Sequence, residues 1–380
     1  MKLLKLAMLL VVLTSVGAMA VDSSYLVYVG TYTDKGSKGI YAYRFDPVTG
    51  EATATGLAAE TPNPSFLAVD SAHKYLYAVN ETDNFNGGHT GAVSMFAIDR
   101  ATDRLTLLQT VSSLGADPAH LSLDKTGRYL LVANYTSGNI AVFPVENDGR
   151  LGPHSAFVQH TGSGANSERQ AGPHAHEIQA SNDNQFVFTS DLGLDELLVY
   201  RFDPRTGSLS PNSPAFAKIS PGSGPRHFAI APSGKFVYLV NELSSTVTVF
   251  AFTTSSGKLK EQQTISTLPA GFNGENTTAE IQVDAKGKFL YVSNRGNDSV
   301  AVFAIDPHNG KLSLAERVLT GGKTPRHFTL DPTGKWLFAA NQDSNSITIF
   351  RVDPNNGRLT PTSRTLQVAS PVCVVFVPVD

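Results

Sequence analysis

Apolar and polar residues alternate with a period of two along most of this chain, in runs of five or six positions. Val247-Thr-Val-Phe-Ala-Phe252 and Ile347-Thr-Ile-Phe-Arg-Val352 are examples. Such alternation, rich in β-branched and aromatic residues, predicts pleated strands. Between the runs stand turn sequences, among them Asp124-Lys-Thr-Gly127 and Asp331-Pro-Thr-Gly334. Asp-x-x-x-Gly stretches, Asp203 to Gly207 and Asp353 to Gly357, punctuate the chain in the same way. Asp, Pro and Gly suit these places because each favours a tight turn for its own steric or hydrogen-bonding reason. The pattern is all-β.

The strands belong to a repeat. Pro225-Arg-His-Phe-Ala-Ile-Ala-Pro-Ser-Gly-Lys-Phe-Val-Tyr-Leu-Val-Asn241 matches Pro325-Arg-His-Phe-Thr-Leu-Asp-Pro-Thr-Gly-Lys-Trp-Leu-Phe-Ala-Ala-Asn341. The residue closing the second strand of each copy is read as Gly30, Asn80, Asn134, Asp191, Asn241, Asn294 and Asn341. Seven copies of about 50 residues, each with four strands, predict a seven-bladed β-propeller of four-stranded antiparallel blades. The first copy, from Tyr25, begins at its second strand, and Ser370-Pro-Val-Cys-Val-Val-Phe376 reads as a lone first strand. The C-terminal strand is therefore expected to complete the N-terminal blade, which removes the open edges of the ring. With no linker between copies, residues 21–380 form one propeller domain in this reading.

Residues 1–20 read as a secretory signal. Lys2 and Lys5 precede the apolar run Leu6 to Leu13, and Ala18-Met19-Ala20 supplies the small residues of a cleavage site. The run is too short to span a bilayer. A periplasmic or secreted protein is expected, free of the membrane after cleavage. Thirty Lys and Arg stand against 33 Asp and Glu, with no basic run. That balance gives no case for nucleic acid or an anionic membrane surface as partner. The single cysteine, Cys373, allows no intramolecular disulfide and sits in an apolar run as a small buried hydrophobe. Nothing calls for a partner chain, so a monomer is expected.

Hairpin geometry locates the candidate chemistry. The start of each first strand and the end of each second strand lie at one end of a blade. All seven pairs are therefore expected at one mouth of the central channel. The starts include Ala119-His120, His176-Glu177, Arg226-His227, Ala279-Glu280 and Arg326-His327. The ends include Glu81, Tyr135, Glu242, Arg295 and Gln342. The recurring asparagines suit a local turn role. His120 and His327 suit a bond to neighbouring backbone equally well. Glu242, Glu280, Arg226, Arg295 and Arg326 recur less regularly, and crowding such charges without function costs several kcal/mol each. They indicate a site for a small anion. His174 and His176 are spaced like metal ligands, but the converging arginines would repel a cation, so no metal or other cofactor is expected. Gly162-Ser-Gly164 lacks a following helix, and no serine has a nucleophile-elbow context.

The segments Gly172-Pro-His-Ala-His176, Gly224-Pro-Arg-His227, Val240-Asn-Glu242, Ala279-Glu280, Ser293-Asn-Arg-Gly296 and Thr324-Pro-Arg-His327 resemble the lactonase family of seven-bladed propellers. That family contains propeller-type bacterial 6-phosphogluconolactonases and is related to fungal carboxy-muconate lactonizing enzymes. The resemblance implies a lactone as substrate or product. Catalytic residues carried over by motif are His176, Arg226, Glu242 and Arg295, with His174 competing for the histidine role. Arg169-Gln170 also looks like the family pattern. Arg169, His174, Glu280, Arg326, His327 and Gln342 are the expected substrate-binding residues. Hydrolysis would use His176 or Glu242 as base, with arginines on the oxyanion. Two alternatives stay open: cyclisation of a muconate by the same groups, and a non-enzymatic binding propeller, since fold alone proves no activity. The signal sequence departs from the cytosolic setting of 6-phosphogluconolactone.

Overall fold

The computed structural model describes residues 24–379. The expected signal segment, residues 1–20, lies outside the described residues. Seven four-stranded antiparallel sheets are formed, six of them from consecutive strands. The seventh, blade 1, takes its first strand from Pro371–Pro378, which pairs with Tyr25–Thr31. The first strands of blades 2 to 7 are Leu67–Val69, Pro118–Leu123, Ala175–Ala180, Pro225–Ile230, Thr277–Val283 and Pro325–Leu330. The propeller, its four-stranded blades and its closure by the C-terminal strand are as the repeat predicts. No helix among the described residues is long and apolar enough to cross a membrane.

The core is divided among the joints between blades. Seven apolar clusters each draw on two neighbouring sheets. One joins Phe338 and Ile349 of blade 7 to Val27 and Phe45 of blade 1 and so completes the ring. This is the sheet-on-sheet solution to burying both faces of a strand.

Each Asp-x-x-x-Gly turn also has a packing reason that its turn chemistry does not show. The glycine lies against the aromatic residue that opens the second strand of the preceding blade. Gly207 meets Tyr129, Gly310 meets Phe236, Gly357 meets Phe289 and Gly50 meets Trp336. A Cβ on Gly310 would lie 2.4 Å from Cδ1 of Phe236, and its φ of 71° also favours glycine. In blade 2, Asp103 takes this place with a φ of 61° and binds Arg44 through both carboxylate oxygens.

One detail of the repeat is corrected. Pro225 pairs with Asn241 and Pro325 with Asn341, and the matching pair in blade 1 is Pro371 with Thr31. Thr31, not Gly30, closes the second strand of the first copy. The residue that follows it, Tyr32, then corresponds to Glu242.

Candidate active site

The first strands bulge where they enter the channel. Register shifts fall between Pro118 and His120, Ala175 and Glu177, Pro225 and Phe228, Thr278 and Ile281, and Pro325 and His327. A bulge re-aims side chains locally, and here it sends neighbouring residues to different cavities. Ala119, His176 and Arg326 line a cavity of about 400 Å³ at the entry end. His120, Glu177, His227, Glu280 and His327 line another, of about 550 Å³, that runs down the first strands. The expectation that every pair shares one mouth is thereby corrected. Glu280 and His327, expected against substrate, belong to the lower cavity.

The rest of the upper cavity comes from the ends of second strands and from one loop. Glu242, Glu81 and Tyr135 directly follow second strands, as does Tyr32, Arg295 ends one, and Arg169 reaches in from the loop before blade 4. Thr277 completes the wall. Of the expected residues, His176, Glu242, Arg295, Arg169 and Arg326 meet here. Arg226 lies just beneath, 3% exposed, with its Nε 3.1 Å from Glu242 Oε2 and Nη1 donating to the Ala279 carbonyl. His174 stands behind the wall, its ring stacked on Tyr135 at 4.5 Å and its Nδ1 3.0 Å from the Tyr135 carbonyl. Gln342 is tied by its backbone N–H to Thr324 and is not a lining residue.

Glu242 is the electrostatic centre. Oε1 accepts a 2.8 Å hydrogen bond from Arg169 Nη2, and Oε2 lies 2.8 Å from Arg295 Nη2. Burial opposes its charge, but Arg295, Arg226, His176 and the Arg169 hydrogen bond outweigh that and hold the carboxyl well below the usual range. A carboxylate so engaged is a poor proton acceptor. Arg295 Nη2 also donates to the Thr278 carbonyl at 3.1 Å. Burial and the charges of Arg295 and Arg326 work against the Arg226 charge, which Glu242 and Glu280 support.

His176 is the opposite case. Burial, followed by the Arg226 charge, drives its pKa well below the ordinary histidine value. It is 4% exposed, and its Nδ1 has no hydrogen-bond partner. The imidazole is neutral and unpaired at pH 7.

Arg326 is placed without a carboxylate contact. Its Nη2 donates to the Tyr32 hydroxyl at 2.7 Å, and its guanidinium lies 5.1 Å from the Tyr32 ring centroid. The Tyr32 hydroxyl donates in turn to Glu81, 2.9 Å from each oxygen. Arg169 is positioned from behind. The neighbouring Gln170 is fully buried and donates to Asp195 Oδ1 at 2.8 Å. Asp195 also accepts the Gly222 and Gly224 amides, which lie just before the strand carrying Arg226. One buried carboxylate thus links the approaches of two arginines.

Tyr32 and Thr277 were not expected at the site, and Glu81 and Tyr135 were placed at the channel mouth without a role. Glu81 and Tyr135 follow second-strand asparagines, as Glu242 does, which was a usable signal. Tyr32 was hidden by the one-residue slip in the first copy. Among the described residues no group of three or more His, Cys, Asp or Glu side chains is arranged to hold a metal ion.

Fold and site together define a propeller whose channel mouth brings guanidiniums gathered on a buried carboxylate together with a neutral histidine. Residues 26–376 match the family model for lactonase, 7-bladed β-propeller, and the chain belongs to that family. It is 37% identical over 305 residues to 6-phosphogluconolactonase of Bacillus subtilis, spanning 80% of this chain and 84% of that one. It is 35% identical over 306 residues to 6-phosphogluconolactonase of Formosa agariphila, spanning 79% and 85%. The structure of the periplasmic gluconolactonase of Pseudomonas aeruginosa superposes with a TM-score of 0.88 at 37% identity, covering 94% of this chain and all of that one.

Proposed function

We propose that this protein is an exported lactone hydrolase acting on sugar lactones, with His176 as the base that activates water. The observation that carries this reading is the neutral imidazole of His176, its Nδ1 without a hydrogen-bond partner, on the wall of a cavity that also carries the guanidiniums of Arg169, Arg295 and Arg326. Water attacking a lactone carbonyl must lose a proton while the carbonyl oxygen gains negative charge. His176 meets the first need. Arg295, whose side chain is 13% exposed, and Arg169, both held in place by Glu242, meet the second. Arg326, free of a carboxylate contact, faces the same cavity and suits an anionic or hydroxyl substituent of the substrate. Glu242 keeps its proton off and organises the arginines; it is not the base.

The relatives support the substrate class from two sides, since one is a 6-phosphogluconolactonase and another a periplasmic gluconolactonase. The second favours export, in agreement with the signal sequence at residues 1–20. The test is a pH-stat assay of the mature protein on 6-phosphogluconolactone, gluconolactone and a carboxy-muconolactone, read above a no-protein control. Acid release on a sugar lactone, lost in His176→Ala, is expected. Because the His176 pKa is depressed, its basic form persists on acidification, so the rate holds to well below pH 6.5. Silence on all three lactones overturns the reading.

A further inference from the structure

Five buried titratable side chains stand just below the upper cavity and take no part in the chemistry proposed above. They are His120, Glu177, His227, Glu280 and His327, each between 4% and 6% exposed. They line the lower cavity, which continues to the turn at Asp284 and Ala285. Collecting such groups out of water is costly unless they are fully paired or have a task. Their pairing is incomplete: His227 Nε2 and His327 Nδ1 are buried without a hydrogen-bond partner.

Contacts between rings join this group to the site. The His227 ring meets the His176 ring edge-on, with centroids 5.0 Å apart and planes at 78°. The nitrogens without partners are Nδ1 on His176 and Nε2 on His227. On its other side, His227 Nδ1 lies 3.0 Å from Glu280 Oε2, which is 3.8 Å from His327 Nε2. A line of proton-carrying groups therefore leads from one cavity to the other.

Resting on lactone hydrolysis at His176, we propose that His227 and Glu280 relay the proton released in each turnover down the channel to the opposite mouth. The water oxygen forms a bond to the carbonyl carbon and gives its proton to His176 Nε2. The ring acyl–oxygen bond breaks, and the leaving oxygen takes a proton back from His176. The new carboxylic acid then ionises, which leaves one proton on His176. His176 gives up the proton on Nδ1 to His227 Nε2, directly or through one water. His227 passes the proton on Nδ1 to ionised Glu280, which releases it to water in the lower cavity, and exchange of each ring's remaining proton from Nε2 back to Nδ1 through water readies both histidines for the next turnover.

Charge sets the direction. Arg169, Arg226, Arg295 and Arg326 outnumber Glu81 and Glu242 around the upper cavity, so a proton leaving that way meets net positive charge. The groups facing Glu280 and His227 from below are His120, His327 and Glu177, with Arg226 above. Burial raises the Glu280 carboxyl well above the usual carboxylate range against the pull of Arg226, so it takes up a proton more readily than an exposed carboxylate does. Burial and Arg226 keep His227 neutral and able to accept.

Glu280→Gln keeps the shape of the side chain but cannot carry a proton. In unbuffered pH-stat solution, kcat of this variant on the preferred sugar lactone should fall at least about tenfold with KM unchanged. Added imidazole should restore it with saturation, whereas the wild type is indifferent to imidazole. His227→Gln should behave alike and replaces Glu280→Gln where that variant does not fold. A variant as fast as wild type without imidazole overturns the relay, and so does a loss that imidazole does not restore. A wild type inactive on sugar lactones overturns the hydrolase reading and the relay together; an active wild type beside imidazole-independent variants overturns the relay alone.

Discussion

Glu242→Gln isolates the electrostatic centre of the site. Both carboxylate oxygens are committed, Oε1 to Arg169 and Oε2 to Arg226 and Arg295. Whichever oxygen becomes the amide NH2 in the variant therefore points a donor at a donor. The Arg226 side chain is 3% exposed and that of Arg295 13%, so their charges are left almost without solvent. Removing one partner of a buried pair costs about 3–5 kcal/mol. The 41% exposed Arg169 adds little to that, because solvent screens it. The folded-state pKa of Glu242 is depressed, so its stabilisation is complete above the unfolded value of about 4.3 and fades as pH falls toward the folded one. Urea unfolding of both proteins at pH 7 and near pH 3 measures the gap. It should be about 3–5 kcal/mol at pH 7 and narrower in acid. A gap under about 1 kcal/mol at pH 7, or one that widens on acidification, refutes the account of Glu242 as the charge that holds these arginines.

Arg295→Lys keeps a positive charge but replaces the delocalised guanidinium, whose Nη2 serves Glu242 and the Thr278 carbonyl together, by a compact ammonium on a shorter stem. A fall in kcat/KM of about 100-fold is expected in the pH-stat assay, and unchanged turnover would remove Arg295 from the chemistry. Gly310→Ala and Gly127→Ala separate backbone strain from packing at the blade joints. Both glycines have φ near 70°, but a Cβ at Gly127 has nothing within 4 Å while one at Gly310 strikes Phe236. Gly127→Ala should cost about 1 kcal/mol and Gly310→Ala about 2–4 kcal/mol, and equal losses in urea unfolding would show that the joint contact carries no weight.

The architecture was legible because most copies repeat a tight turn ending in Gly, often opened by Asp, and five of the seven close the second strand with asparagine, at a regular spacing of about 50 residues. The ring closure followed from counting strands in the first copy. The site was legible to the extent that it depends on strand ends: Glu242 follows a second strand, Arg295 ends one, and His176 and Arg326 are the second residues of first strands. Three things were not readable. Arg169 sits on a loop, where no periodicity points, and only the family resemblance drew notice to it. Tyr32 escaped because Gly30-Thr31 offers no asparagine to fix the register. The separation of Arg326 from His327, and of His176 from Glu177, depends on a bulge in the backbone that consecutive residue names do not reveal.

The way blade 1 is assembled gives the molecule a test of its own completeness. Every residue lining the upper cavity, from Tyr32 to Arg326, precedes the strand Pro371–Pro378. A polypeptide still emerging from the ribosome, or clipped before Pro371, already carries the whole set of chemical groups. It lacks the last stave of the barrel around them, and with it the partner of Tyr25–Thr31, the strand that leads into Tyr32. Premature or truncated chains are thereby kept from presenting a finished site, and proofreading is delegated to a single strand that contributes no functional group of its own.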